Sequence, residues 1–218
     1  MAYVSRGGDK LAAALDHFRL DVTGLIAADL GSHVGGFVDC LLQRGASKVY
    51  SVDTSYGTLA WKLRKDPRVV VLERANAMHV TLPEPVDLVT IDVGWTPQAK
   101  ILPQVARLVA PSAKVVTLIK PHYEAAVELL VDGVLPEERV DAVVQKVVGD
   151  MATLGWVVAG VVESPIRGHG GNREMLAMLT RMADGVASQA CAQVSSGQED
   201  GTGRRAASGT RPGAPDAG

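Results

Sequence analysis

Short apolar runs of strand length alternate along this chain with segments whose apolar residues recur three or four positions apart, the spacing of a helix that buries one face. Asp9 reads as an N-cap, and from Lys10 onward Leu11, Leu15 and Phe18 predict a first helix. Leu25 to Leu30 predicts a strand. The turn Gly31-Ser32-His33-Val34-Gly35-Gly36 follows it, then a helix through Phe37, Cys40, Leu41 and Leu42 that Gly45 closes. Lys48 to Asp53 is a second strand, Leu59, Trp61 and Leu63 a short helix stopped by Asp66-Pro67, and Val69 to Leu72 a third strand. Val86 to Ile91 is the fourth. Ile101, Leu102, Val105, Leu108 and Val109 predict a helix ending before Pro111, and Lys114 to Ile119 a fifth strand. The longest helix opens at Pro136-Glu137-Glu138, buries Val140, Val143, Val144, Val147, Met151 and Leu154, and closes at Gly155. Trp156 to Val162 and Met175 to Leu179 are the last two strands, the second able to return antiparallel to the first.

This alternation predicts an α/β fold with a mostly parallel sheet of seven strands, the last antiparallel, and a nucleotide pocket at the carboxyl ends of the strands. With 218 residues, 47% of them hydrophobic, the chain can bury one sizeable core. Residues 1–181 are the expected domain. From Met182 to Gly218 the composition turns to Gly, Ser, Ala, Gln and Pro, which cannot offset ordering entropy by burial and predicts a disordered tail. A net charge of −2 argues against a uniformly basic nucleic-acid surface, though Arg6, Lys10, Lys62, Arg64, Lys65 and Lys120 could form a local basic patch. The two cysteines, Cys40 and Cys191, form no disulfide framework, and the five histidines show no metal-ligand spacing, so no metal is expected. The start lacks an apolar signal core and no apolar run reaches transmembrane length. A soluble, cytoplasmic protein is expected, with no membrane contact.

The glycine turn lacks the G-x-G-x-x-G spelling of a dinucleotide site, because Ser32, His33 and Val34 separate Gly31 from Gly35. An acidic residue, Asp29, just before Gly31 suits a ligand with cationic groups, as S-adenosylmethionine has. Gly31, Ser32, Gly35, Gly36 and Phe37 would form the close-approach turn and open the helix beneath that ligand. Asp53, at the end of the second strand, can bridge ribose hydroxyls or cap a helix. Asn76 can read an adenine edge or simply make a turn. Asp92 and Lys120 end the fourth and fifth strands, on the same edge as the glycine turn. With Lys10 and Glu174 they give two lysines and two carboxylates, a cluster in which a lysine could take a proton from a hydroxyl attacking a methyl group.

At these residues the chain resembles the FtsJ-type ribosomal-RNA 2′-O-methyltransferases, and within them the TlyA (hemolysin A-like) branch. The matching stretches are Tyr3-Val4-Ser5-Arg6-Gly7-Gly8 with Lys10-Leu11, Asp39 to Ala46, Leu59 to Arg64, Ile91-Asp92-Val93, Lys120-Pro121 with Glu124, and Gly171-Asn172-Arg173-Glu174. The resemblance implies the Rossmann-like S-adenosylmethionine-dependent methyltransferase fold. It implies a catalytic tetrad Lys10, Asp92, Lys120 and Glu174, S-adenosylmethionine as donor with Asp92 also beside it, and an RNA ribose 2′-hydroxyl as acceptor. Lys120 would act as general base or orient the hydroxyl, Asp92 would support it, and Lys10 and Glu174 would position substrate. Arg6, Lys62 and Arg64 would touch RNA. Relatives carry an S4-like RNA-binding domain before the Tyr3-Val4-Ser5 stretch, where this chain begins, so a helper protein is an expected partner beside ribosomal RNA or a ribosomal subunit. After Asp92, where relatives usually have Ser-Phe, this chain has Gly94-Trp95. The competing readings are a methyltransferase of the same fold acting on a small molecule or protein, and a cofactor-binding protein without catalysis.

Overall fold

The computed structural model describes residues 2–182. Residues 183–218 of the expected tail, and Cys191 with them, lie outside the described residues. Seven strands form one sheet: β1 Ile26–Leu30, β2 Lys48–Asp53, β3 Val69–Glu73, β4 Val86–Ile91, β5 Val109–Ile119, β6 Trp156–Glu163 and β7 Met175–Arg181. Their order is β3-β2-β1-β4-β5-β7-β6. The first five run parallel, and β7 inserts antiparallel between β5 and β6. After β1 the chain moves outward to β2 and β3, then crosses back to lay β4 on the other side of β1. That reversal opens a crevice at the carboxyl ends of β1 and β4, where α/β sheets bind ligands.

Helices cover both faces. On one, α1 Arg6–His17, α2 Gly36–Gln43 and α3 Trp61–Arg64 bury Leu11, Leu15, Phe37, Leu41 and Leu63 against Val49, Leu88 and Leu118. On the other, α4 Gln98–Val105 and α6 Glu137–Thr153 bury Ile101, Leu102, Val147 and Met151 against Tyr50, Ile91 and Val115. A single turn, α5 Pro121–Glu124, follows β5. Both faces of β1 and β4 are covered, which is why those strands read as near-continuous apolar runs.

Two of the boundaries that differ from expectation have a clear physical reason. The first helix starts at Arg6 with Ser5 as N-cap, so Asp9 lies inside it and Lys10 sits beyond its first turn, away from the unfavourable end of the helix dipole. Gly7 and Gly8 are poor helix formers, but their lack of side chains lets α1 lie against α2: a Cβ on Gly36 would come within 2.8 Å of the Gly8 amide nitrogen and 3.1 Å of the Gly7 Cα. The helix expected to reach Val109 ends instead at Val105, and β5 begins at Val109. Its pairing with β4 jumps from Val86–Val109 to Leu88–Lys114, so Pro111, which has no N–H for a ladder, sits in a bulge.

Candidate active site

The ends of β1, β2, β3, β4 and β5 and the start of β7 bring candidate side chains and turns to one edge. At the end of β1 the chain turns through Gly31, whose φ of +90° is a left-handed conformation open to glycine. A Cβ there would also fall 2.5 Å from the carbonyl oxygen of Asp92, so the turn and the end of β4 are pressed together at backbone distance. Two adjoining cavities open along this edge and share Gly31, His33 and Asp92. The larger, about 400 Å³, runs from Asp53, Asn76 and Met78 to Asp92, Thr96, Ile101 and Lys120. The smaller, about 210 Å³, lies between Ser5, Arg6 and Lys10 of α1 and Asp29, Ser32, Gly36 and Phe37.

Each carboxylate on this edge has its own environment. Asp53 ends β2 and accepts the backbone N–H of His33 at 2.8 Å and of Ser55 at 2.7 Å. Burial alone would raise its carboxyl; the Ser55 and His33 hydrogen bonds outweigh that and hold it below the usual carboxylate range. Both oxygens keep a lone pair for hydroxyl donors. Asp29, on β1, is buried. One oxygen accepts the Thr90 hydroxyl at 2.7 Å, and Oδ2 has no partner among the described residues. Burial pushes its carboxyl up to about 7.

The four expected catalytic residues form two ion pairs. Lys120 Nζ stands 2.6 Å from Asp92 Oδ1 and donates to the Val93 carbonyl at 3.2 Å. Lys10 on α1 pairs with the buried Glu174, just before β7. Gly168 lies against the Glu174 carboxylate, and a side chain there would take its place. Because β7 runs opposite to β5, its start lies at the same edge as the end of β5, which is how residues 164 positions apart come together.

Of the expected cofactor residues, Asp29, Gly31, Ser32, Gly36, Phe37, Asp53, Asn76 and Asp92 line one or both cavities. Gly35 does not. With φ +98° it is the N-cap of α2, and its bare Cα makes room for Leu59 and Leu63 behind the turn. Asn76 Oδ1 accepts the Met78 N–H at 2.9 Å and shapes the turn after β3, and its amide N–H groups have no partner among the described residues. Among the expected RNA contacts, Arg6 is exposed at the rim of the smaller cavity. Lys62 is instead bound to Asp39 at 2.9 Å, a buried carboxylate that also accepts the Val4 N–H, and Arg64 is paired with Glu73. The buried Asp39 needs a counter-charge, which Lys62 supplies.

The sequence reading missed His33, Met78, Thr96 and Ile101 in the walls. His33 could have been suspected from its place inside the glycine turn. The apolar wall residues carry no signal that separates them from core.

A family model described as FtsJ-like methyltransferase matches residues 3–181 of this chain. The 16S/23S rRNA (cytidine-2′-O)-methyltransferase TlyA of Mycobacterium tuberculosis is 40% identical over 190 residues, 84% of this chain and 70% of that protein. A solved hemolysin-named protein from Lactococcus lactis, 36% identical, superposes with a TM-score of 0.79 over 84% of this chain and 93% of its own. An S-adenosylmethionine-dependent methyltransferase from Mesorhizobium loti shares the fold at 18% identity, with a TM-score of 0.58 over 78% of this chain and 96% of its own.

Proposed function

The chain belongs to the FtsJ-like methyltransferase family, and from that premise we propose that it transfers a methyl group from S-adenosylmethionine to a ribose 2′-hydroxyl of ribosomal RNA. What supports this reading is the Asp92–Lys120 pair in the wall of a cavity of nucleoside size, with Lys10, which is paired to Glu174, lining the cavity that adjoins it. The 2′-O position and the ribosomal acceptor rest on the relative named for that reaction.

The residues present fit the donor. Asp53 can bridge the two hydroxyls of a ribose, and Asn76 with Met78 and Ile101 offers a polar edge and apolar walls for a base. Asp29, with its unpartnered oxygen, suits the ammonium of an amino-acid end lying over the Gly31 turn. When bound, S-adenosylmethionine supplies a methyl group made electrophilic by its sulfonium.

Lys120 does the positioning at the acceptor. An ammonium has three donors. Asp92 and the Val93 carbonyl take two, which leaves one N–H for the acceptor oxygen. As that oxygen gains its methyl group it sheds one proton, for which the Asp92 carboxylate beside Lys120 is the acceptor. Lys10, held by Glu174, lines the adjoining smaller cavity. Orientation of this kind supplies most of the rate in a displacement that needs little covalent help from the protein.

The decisive experiment is transfer of labelled methyl from S-adenosylmethionine to ribosomal subunits and to free ribosomal RNA, with Lys120→Ala in parallel. Label that is RNase-sensitive and lost in the variant is expected, with S-adenosylhomocysteine affinity retained. Label that survives RNase, or no label despite cofactor binding, would overturn the ribosomal-RNA reading.

A further inference from the structure

Glu124 closes the single turn α5, a few residues past Lys120, and lines neither of the two cavities. It is half-buried, and its Oε1 accepts the backbone N–H of Gln98 at 2.8 Å. Gln98 is the first residue of α4, whose N-cap is Pro97 and whose first turn carries no acidic residue. Proline has no side-chain acceptor, so α4 lacks in its own sequence the oxygen that a helix start needs. Glu124 supplies it from α5, as a negative charge at the positive end of the helix.

The side chain of Gln98 carries the connection further. It is buried, accepts the Thr117 hydroxyl at 2.8 Å and donates to the Leu118 carbonyl at 3.4 Å, near the end of β5. Gln98 is thereby held from both sides of Lys120 in the chain. What this fixes is a separation. Asp92 leaves β4 and the chain runs on into α4, while Lys120 leaves β5, and the ladder between the two strands ends at the pair Ile91–Thr117. Beyond that pair, the 2.6 Å reach of Lys120 to Asp92 and its 3.2 Å bond to the Val93 carbonyl hold only if the two segments do not slide.

We propose that Glu124, acting through Gln98, is a positioning residue for methyl transfer: it locks the start of α4 to the end of β5 and so sets where the Lys120 ammonium stands, without touching donor or acceptor. This rests on the reading above in which Lys120 orients the acceptor oxygen.

The test compares wild type, Glu124→Ala, Glu124→Gln and Gln98→Leu on whichever of the subunits or free RNA the wild type methylates, with S-adenosylhomocysteine affinity and melting temperature measured alongside. Glu124→Ala is expected to lower kcat by about ten- to a hundred-fold, the scale of a misplaced orienting group, with KM for the acceptor and cofactor affinity within about two-fold of wild type. Glu124→Gln keeps an oxygen acceptor and is expected to regain most of kcat. Gln98→Leu cuts the links to β5 and is expected to lose kcat as Glu124→Ala does; should Glu124→Ala fail to fold, Gln98→Leu is read by the same criteria. A kcat within about two-fold of wild type in Glu124→Ala overturns the proposal even if the melting temperature falls, since the bond would then serve stability alone. A fall in cofactor affinity as large as the fall in kcat also overturns it, because the whole edge would then have loosened. Failure of the wild type to methylate any RNA removes the acceptor reading instead, and the positioning role falls with it.

Discussion

At the scale of single residues, Asp29 shows burial turning into chemistry. Its carboxyl is pushed up to about 7 by burial, with the Thr90 hydroxyl opposing the shift. A group that holds its proton more tightly in the folded protein stabilises the fold at low pH, and that contribution is lost as pH rises through about 7. Asp29→Asn is therefore expected to raise the melting temperature at pH 8 and to change it less at pH 5. Binding of a cationic amino-acid end requires the ionised form, so wild-type affinity for S-adenosylhomocysteine should fall as pH drops from 8 to 6, while the variant binds more weakly with a flat profile. Parallel pH profiles for the two proteins, read by calorimetry, would remove Asp29 from the site. That Asp29, Asp53, Asp92 and Lys120 would lie along one edge was legible because the carboxyl end of a parallel strand is a place defined by sequence pattern. The place of Gly35 behind the turn and the pairing of Arg64 with Glu73 were not, because spacing does not say which side of a turn faces a cavity or which cation already has a partner.

Helices and strands were most legible where burial on both faces made the pattern unbroken, as in β2 and β4, whose bounds follow their apolar runs to the residue. They were least legible where tertiary contact overrides local preference. The glycines that argue against a helix at Gly7-Gly8 are the ones that let α1 approach Gly36. Gly36→Ala should therefore lower the unfolding free energy by about 1–3 kcal/mol, the usual cost of overpacking against backbone that cannot give. Gly149, exposed inside α6 with nothing near its missing Cβ, is the contrasting case. Gly149→Ala should stabilise by about 0.5–1 kcal/mol. Urea unfolding of both variants checks the pair, and equal effects would mean that the α1–α2 contact is looser than the backbone distances indicate.

Across the whole molecule, the Lys10–Glu174 pair ties the first helix to the last strand and so closes the domain on itself. No local pattern announces such a contact; it follows only from β7 inserting antiparallel beside β5. The pair is nearly dry, with side-chain exposures of 12% and 4%, so each charge depends on the other. Removing one partner leaves an uncompensated buried charge, at a cost of about 3–5 kcal/mol, whereas replacing both by apolar residues of similar volume is often close to neutral. Glu174→Gln alone, which leaves Lys10 without its counter-charge, is thus expected to destabilise strongly, while Lys10→Met combined with Glu174→Leu regains much of the loss without regaining methyl transfer. Stability and activity would then separate in one set of proteins, measured by urea unfolding and labelled transfer. A double variant whose loss of stability equals the sum of those of its single changes would show that the pair is not a coupled unit. A double variant that still methylates would take both residues out of the chemistry and leave them only the work of closing the fold.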